Sequence, residues 1–253
     1  MLSDNDFLRY SRQLLLEEFG PEGQQKLQRA SVLLVGLGGL GSPAALYLAA
    51  AGVGTLLLAD DDRVHISNLQ RQILFRTADS GTSKAALAKK RLSALNPHIA
   101  CVALEQRMEA ASLAEVVRTV DLVLDCSDNM PTRHAINAAC VRSGIPLVSA
   151  SAVGFGGQLL VLSPPFSHGC YRCLWPDDAE PQRNCRTAGV LGPVVGVMGT
   201  LQALEALKML TGQPSALAGK LRLFDGRQQT WRTLTLERSA DCPVCGGPHE
   251  NHR

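Results

Sequence analysis

The sequence predicts an α/β fold: a doubly wound sheet, mainly parallel on its N-terminal side and continuing into antiparallel strands. Three observations predict it. Residues 32–60, VLLVGLGGLGSPAALYLAAAGVGTLLLAD, hold two short apolar runs separated by a glycine turn and a small-residue helix. From there to residue 150, strand-like and helix-like segments alternate strictly, as right-handed parallel crossovers require. Beyond residue 156 the alternation stops, and strand-like runs separated by turns flank one long helix.

Taken in order, residues 4–29 read as amphipathic helix, with Phe7, Leu8, Leu14, Leu15 and Leu16 and then, after Gly20-Pro21, Gln24 to Arg29. Lying ahead of the first strand, this segment must pack on the outside of the domain or on another subunit. Arg9 and Arg12 fall one turn apart on it. Val32 to Val35 is the first buried strand, and Gly36, Gly38 and Gly41 after it fit G-x-G-x-x-G. Such glycines permit a tight turn, close approach of a phosphate to the backbone, and close packing of helix on strand. The helix Ser42 to Ala51 offers unpaired N–H groups and a positive dipole end to an anion. Thr55 to Ala59 is the second strand, and Asp60 at its tip is placed to accept hydrogen bonds from ribose hydroxyls. After Asp60-Asp61-Asp62, the stretch Val64 to Gln72 is polar yet free of Gly and Pro. It lies at the carboxyl end of a strand, where open α/β sheets bind ligands.

Thr82 or Ser83 caps a helix that runs to Leu95 and is stopped by Asn96-Pro97. Lys84 in its first turn opposes the dipole, so it is either solvated or there to face an anion. Ile99 to Leu104 and Val120 to Cys126 are strands, with the helix Ser112 to Thr119 between them. Pro131 begins a helix to Ser143, and Ile145 to Ala150 is the next strand. Gln158 to Ser163, Lys220 to Asp225 and Thr230 to Glu237 read as the antiparallel additions. The long helix, Val194 to Leu210, ends at Gly212 and Pro214. Its Val195, Met198, Leu201, Leu204, Leu207 and Met209 read as core. Residues 176–189, PDDAEPQRNCRTAG, form a polar and, we expect, mobile loop.

Composition removes several classes of function. With 253 residues, 45% hydrophobic and 19% charged, the chain has the material for one large soluble α/β domain. A net charge of +2 is too small to argue for nucleic acid or a membrane surface. No apolar run reaches a membrane span, and Met1-Leu2-Ser3-Asp4-Asn5-Asp6 does not read as a signal peptide. A cytoplasmic location is expected.

The cysteines divide into kinds. Cys170-Tyr-Arg-Cys173 and Cys242-Pro-Val-Cys245 are two C-x-x-C knuckles, and two knuckles meeting in space make a Cys₄ zinc site. Redox dithiols or chance spacing are the other readings. Gly246-Gly247 after the second knuckle, and the absence of either pair from the start of a βαβ helix, favour structural zinc. Four thiolates leave no open coordination position, so such a metal braces the fold and does not catalyse. Cys101, Cys126 and Cys140 sit in apolar segments and read as inert core. Cys185 lies in the polar loop between Arg183 and Arg186, whose charges favour thiolate.

Asp60, Asn68, Gln70, Arg71, Lys84, Asp128 and Asn129 all fall at or just beyond strand ends. Asp128 is suited to Mg²⁺, a hard cation that takes carboxylate and phosphate oxygens. Arg71 and Lys84 are suited to neutralising charge that develops on phosphates. The glycine loop lacks the G-K-[ST] ending of a P-loop. Spacing alone therefore leads to a mononucleotide or dinucleotide site, with hydride transfer and phosphate chemistry both open.

A resemblance separates them. Gly36-Leu37-Gly38-Gly39-Leu40-Gly41, Asp60, Ser67-Asn68-Leu69-Gln70-Arg71-Gln72, Lys84, Asp125-Cys126-Ser127-Asp128-Asn129 and the two knuckles together resemble the ubiquitin-activating-enzyme-like adenylyltransferases, the ThiF/MoeB/HesA family. The resemblance runs from Arg9-Tyr10-Ser11-Arg12-Gln13 to Cys245. Cys170 to Pro176, Asn184 to Gly189 and Ala152 to Gly157 look more like the thiamine branch than the molybdopterin branch.

The resemblance implies ATP over the glycine loop, with Gly39 near the phosphates, Asp60 on the ribose, Asn68 and Arg71 on the triphosphate, Lys84 on the phosphates and Asp128 on Mg²⁺. Gly36, Gly38, Gly41, Ser67, Gln70 and Asn129 complete the implied nucleotide set. Arg12 matches an arginine that in this family reaches the site from the other subunit, which implies a homodimer. The implied reaction joins the C-terminal Gly-Gly carboxylate of a ubiquitin-like, ThiS-like sulfur carrier protein to AMP, for thiamine thiazole biosynthesis. Alignment and charge neutralisation carry it. Cys185 would then form a carrier–enzyme acyl-disulfide link. A sulfur-donating cysteine desulfurase or sulfurtransferase is the further implied partner. The same chemistry on the molybdopterin-synthase carrier (MoeB-like) is the near alternative. An NAD-dependent oxidoreductase and a zinc-braced binding module are the distant ones. We expect a single adenylation domain over 1–253: an N-terminal helical arm at 1–29, a nucleotide-binding half at 30–155, and a carrier-binding and zinc half at 156–253.

Overall fold

The apolar runs pair as expected, and eight strands join in one sheet. The computed structural model describes residues 2–182, 184 and 187–247. Strands β1 (Ser31–Val35), β2 (Thr55–Ala59), β3 (Ala100–Leu104), β4 (Leu122–Asp125) and β5 (Leu147–Val153) pair parallel in the order β3-β2-β1-β4-β5. Strands β6 (Gly156–Leu162), β7 (Lys220–Asp225) and β8 (Thr230–Thr235) extend the same sheet antiparallel from β5. The parallel strands are near-continuous apolar runs because helices cover both faces. Leu33 on one face and Leu34 on the other are both fully buried.

Helices α4 (Gly41–Ala51), α5 (Lys84–Leu95) and α9 (Gly192–Leu210) cover the first face. The second carries α6 (Ala110–Val116) and α7 (Met130–Ser143). Ser83 caps α5, its hydroxyl accepting from the Ala86 N–H at 3.2 Å. In α9, Val195 and Met198 are core as expected, whereas Leu204 is 50% exposed. Val197 of the same helix is exposed as well.

The N-terminal arm departs from the sequence expectation. It is three short helices, α1 (Asp4–Arg9), α2 (Ser11–Leu14) and α3 (Gly20–Arg29): the sequence places the break at Gly20-Pro21, and a further one at Tyr10 divides the first segment. Tyr10 ends α1, and Gly20 at φ +52°, followed by Pro21, starts α3 in a new direction. Phe7, Leu8, Leu15 and Leu16 consequently stand exposed. Polar contacts dock the arm. Asn96 donates to both the Tyr10 hydroxyl and the Ala49 carbonyl at 2.8 Å, and Gln24 donates to the Ala51 carbonyl at 2.9 Å. Short α8 (Tyr171–Leu174) precedes the polar loop. Among the described residues, no helix is long and apolar enough to cross a membrane.

The chain leaves β1 for β2 on one side and returns through β4 on the other, so the strand order reverses between β1 and β4. Open α/β sheets leave a crevice at such a point. Here the crevice is a cleft of about 720 Å³, running from the glycine turn across to β5 and the loop after α8.

Candidate active site

The floor of the cleft is the turn between β1 and α4. Gly36 has φ +96°, and a Cβ there would lie 2.5 Å from the Cys126 carbonyl oxygen. At Gly41 a Cβ would come within 2.0 Å of the Gly36 carbonyl oxygen, so helix and strand close only around glycine. Gly38 and Gly39 line the cleft itself, against Gln72 and Arg71 respectively.

Asp60 holds this turn from the tip of β2. Its carboxylate accepts from the Leu37 N–H at 2.7 Å and from the Asp62 N–H at 2.8 Å. Burial pushes its pKa above the ordinary value, although the Leu37 hydrogen bond pulls the other way. Of the two courses foreseen for Lys84, solvated or facing an anion, the structure shows the second, and the anion is a carboxylate of the chain itself. Its side chain is 5% exposed and its Nζ meets the Asp62 carboxylate at 2.6 Å. Burial works against the Asp62 charge, but Lys84 holds its pKa below the ordinary value. A cation thus sits in the first turn of α5 with its own counter-charge, both lining the cleft.

The polar segment after β2 divides. Arg71 lines the cleft, with one guanidinium nitrogen donating to the Ser67 carbonyl at 3.2 Å. Ser67, Asn68 and Gln70 do not line it. Ser67 pairs with the His65 ring at 2.8 Å and Asn68 accepts from the His65 N–H at 3.1 Å, closing a short 3₁₀ turn. Gln70 is exposed, and its carbonyl packs against Gly192.

At the end of β4, Asp128 is exposed in the cleft wall and Asn129 caps α7, accepting from the Thr132 N–H at 3.0 Å. Beneath them is a buried network that the sequence reading missed. Asp125 is fully buried. One of its oxygens accepts from Ser127 Oγ at 2.6 Å, and the other from Ser149 Oγ at 3.0 Å and Arg133 at 3.3 Å. Arg133 also donates to the carbonyls of Ala150, at 2.9 Å, and Ser127. Burial opposes its charge, yet the Asp125 carboxylate holds its pKa above the ordinary guanidinium value. Gln202 of α9 donates to the Asp125 and Val148 carbonyls at 2.8 and 3.0 Å, tying both faces of the sheet to the strand end. A signal existed. Met130, Arg133, Ile136, Asn137 and Cys140 form the buried stripe of α7, and an arginine on such a stripe requires a buried acid.

The loop after α8 lies over one side of the cleft. Glu180 accepts from the Met130 N–H at 2.7 Å at the start of α7, and Glu180, Pro181 and Asn184 line the opening. Asp178 pairs with Arg172, and His134 donates to the Asp177 carbonyl at 3.1 Å. Cys185, with Arg183 and Arg186, lies outside the described residues. Arg12 is exposed and does not line the cleft of its own chain.

The two knuckles do meet. The sulfurs of Cys170, Cys173, Cys242 and Cys245 all lie within 4.8 Å of one another, with Cys170 3.7 Å from Cys242 and Cys173 3.4 Å from Cys245. Tetrahedral thiolates on zinc stand about 3.8 Å apart, at a Zn–S length of about 2.3 Å. The four thiols are free, three of them are buried, and the donor set is closed, which fits a structural metal. Burial pushes the Cys242 thiol up, but hydrogen bonds from the Cys245 and Val244 N–H groups bring it down to about 7.

The model of the ThiF family matches residues 10–244. The "Sulfur carrier protein ThiS adenylyltransferase" of Escherichia coli (strain K12) is 63% identical over 246 residues, which cover 97% of this chain and 98% of that protein. The "Molybdopterin-synthase adenylyltransferase" of the same organism is 44% identical over 245 residues, covering 97% and 98%. Among solved structures, E. coli MccB crystallised with ATP superposes with a TM-score of 0.80 at 26% identity, covering 94% of this chain and 73% of that one.

Proposed function

The chain belongs to the ThiF family, and from that premise we propose that it catalyses ATP-dependent adenylylation of the C-terminal Gly-Gly carboxylate of a ThiS-like sulfur carrier protein, for thiamine thiazole biosynthesis. The observation that carries the reading is 63% identity, end to end, with an E. coli protein named for adenylylating ThiS. A cleft that opens at the glycine turn and is walled by Arg71, Lys84 and Asp128 supports it.

In this reading the carrier carboxylate attacks the α-phosphorus of ATP. The bond to the β-phosphate breaks, and acyl-adenylate and pyrophosphate result. No side chain need act as nucleophile. The backbone N–H groups of the turn and the α4 N-terminus receive phosphate oxygens. Arg71 and Lys84 neutralise charge as pyrophosphate departs, Lys84 exchanging its Asp62 partner for phosphate. Asp60 serves the ribose with the acceptor positions its backbone bonds leave free. Mg²⁺ suits the exposed Asp128 carboxylate and supplies further charge neutralisation there when bound. Gly36, Gly38, Gly39 and Gly41 shape the phosphate seat. Ser67, Asn68, Gln70 and Asn129 act by framing it, since the side chains of Ser67, Asn68 and Asn129 bond within their own turns and Gln70 stands outside the cleft.

The four cysteines hold Zn²⁺ in the carrier-binding half, 156–253, and brace it against the nucleotide-binding half, 30–155. The arm, 1–29, serves a homodimer in which Arg12 of each chain enters the other's cleft. Exposure of Arg12 and of Phe7, Leu8, Leu15 and Leu16 supports that assignment. A persulfide on a cysteine desulfurase or sulfurtransferase displaces AMP from the acyl-adenylate to give an acyl persulfide, and the Cys185 thiol then attacks its acyl-bound sulfur, expelling the donor's thiol and leaving the acyl-disulfide link. The location is cytoplasmic.

Carrier-dependent exchange of labelled pyrophosphate into ATP tests the reading. Exchange with the thiamine-type carrier, lost in Asp128→Ala, is expected. The 44% identical relative favours one second reading. Exchange only with the molybdopterin-type carrier would replace the first reading with it, and exchange with neither would remove the proposed chemistry.

A further inference from the structure

We propose that Gln72 contacts the phosphate chain of the bound nucleotide through its side-chain amide, a deepening that rests on the ATP reading of the cleft. Gln72 is 4% exposed and lines the cleft. Its backbone is fixed on both sides: its N–H donates to the Asn68 carbonyl at 3.0 Å and its carbonyl accepts from the Phe75 N–H at 3.1 Å. The side chain has no such anchor. It makes no hydrogen bond among the described residues, and its Oε1 is wholly buried without a partner.

Buried amides are hydrogen-bonded as a rule, and a methionine would fill the same volume without the desolvation cost. An amide kept there without a protein partner among the described residues points to a ligand. Its surroundings say which part of the ligand. The Cα–H of Gly38 is directed at the amide, with an added Cβ there falling 3.3 Å from Nε2. The next glycine, Gly39, packs on Arg71, and Lys84 lines the same cleft. This is the phosphate end of the proposed site. Nε2 stands beside Gly38 on the cleft floor, whereas Oε1 is wholly buried. Phosphate oxygens only accept, so the NH₂ edge is the one that meets them.

The test measures Mg-ATP dissociation constants by calorimetry for the full chain and for Gln72→Met and Gln72→Glu, with the ligand-free Tm of each. A phosphate contact predicts affinity in the order wild type, then Gln72→Met weaker by about tenfold to hundredfold, then Gln72→Glu weaker still, because it sets a carboxylate against phosphate. The ligand-free Tm of Gln72→Met should hold or rise, since an unpartnered buried amide is gone. A residue that merely props the turn predicts the reverse order: Gln72→Glu, equal in shape, binds like wild type, and Gln72→Met is the weaker and less stable. That order, or equal affinity in all three, overturns the inference while the ATP reading stands. A wild-type chain that binds no Mg-ATP overturns both.

Discussion

Replacing Arg133 by methionine should destabilise the chain by about 3–5 kcal/mol, the magnitude for breaking a buried ion pair from one side. The structure puts this substitution in that class. The Arg133 and Asp125 side chains are 7% and 1% exposed, and the guanidinium is the one cation against the Asp125 carboxylate among the described residues. Without it Asp125 keeps the hydroxyls of Ser127 and Ser149 but becomes a buried, unneutralised charge. The carbonyls of Ser127 and Ala150 lose their donor as well. For a chain of this size each kcal/mol is worth about 2–4 °C, so the expected fall in Tm is about 6–20 °C. Scanning calorimetry and urea midpoints of nucleotide-free protein measure it. The double variant Arg133→Met, Asp125→Asn should recover part of the loss, because the uncompensated charge is removed with its partner. A fall below about 1 kcal/mol for the single variant would refute the argument that this network organises the β4 end.

Three further outcomes are expected. Lys84→Ala should lower carrier-dependent pyrophosphate exchange by about 10²–10³-fold with a much smaller change in Tm, since Asp62 is 65% exposed and can be hydrated once its partner is gone; equal exchange rates would remove Lys84 from the chemistry. Metal analysis of protein purified without chelator should return one zinc per chain, and Cys242→Ser should lose the metal and lower Tm; full stability without metal would defeat the Cys₄ assignment. Asp79 pairs with Arg91 at 2.6 Å, and although burial works against its charge, the Arg76 N–H and Arg91 hold its pKa below 3.8. A depressed carboxyl contributes stability above its unfolded pKa and loses it as pH falls, so the urea midpoint should drop below pH 3.8 and drop less in Asp79→Asn; superimposable pH profiles would contradict the assignment.

Much of the fold was legible because its strands are short runs with one possible fate. Thr55–Ala59 and Lys220–Asp225 occur with the bounds read from sequence, and the glycine turn announces where the cleft opens. Local signals failed where the answer was set at long range. Nothing near Lys84 in sequence names Asp62, 22 residues away, as its partner. The N-terminal arm has the apolar content of an amphipathic helix, yet it breaks at Tyr10 as well as at Gly20-Pro21, and Phe7, Leu8, Leu15 and Leu16 are left exposed while Leu27 reaches the core. Asn68 and Gln70 belong to a motif whose spacing marks the site, but the 3₁₀ turn after β2 turns the Asn68 side chain back to His65, Gln70 stands exposed outside the cleft, and Arg71 and Gln72 line it. Glu180 sits in a stretch without periodicity, where sequence gives no position for any side chain.

The two backbone bonds accepted by Asp60 have a consequence for how fast and how tightly a nucleotide associates. The bond from Leu37 tethers the glycine turn to the tip of β2, and the bond from Asp62 fixes the carboxylate that holds it. Ordering a flexible loop around a ligand would cost conformational entropy at every residue fixed, of order 1 kcal/mol each. Here that ordering is completed when the chain folds, so an arriving nucleotide meets N–H groups already in position and keeps more of its contact energy as affinity. Loss of the Asp60 carboxylate therefore has two separable parts, one from any ribose contact and one from a turn set free to wander. The second should appear as a less favourable binding entropy and a slower association rate, even for a ligand that has no ribose at all.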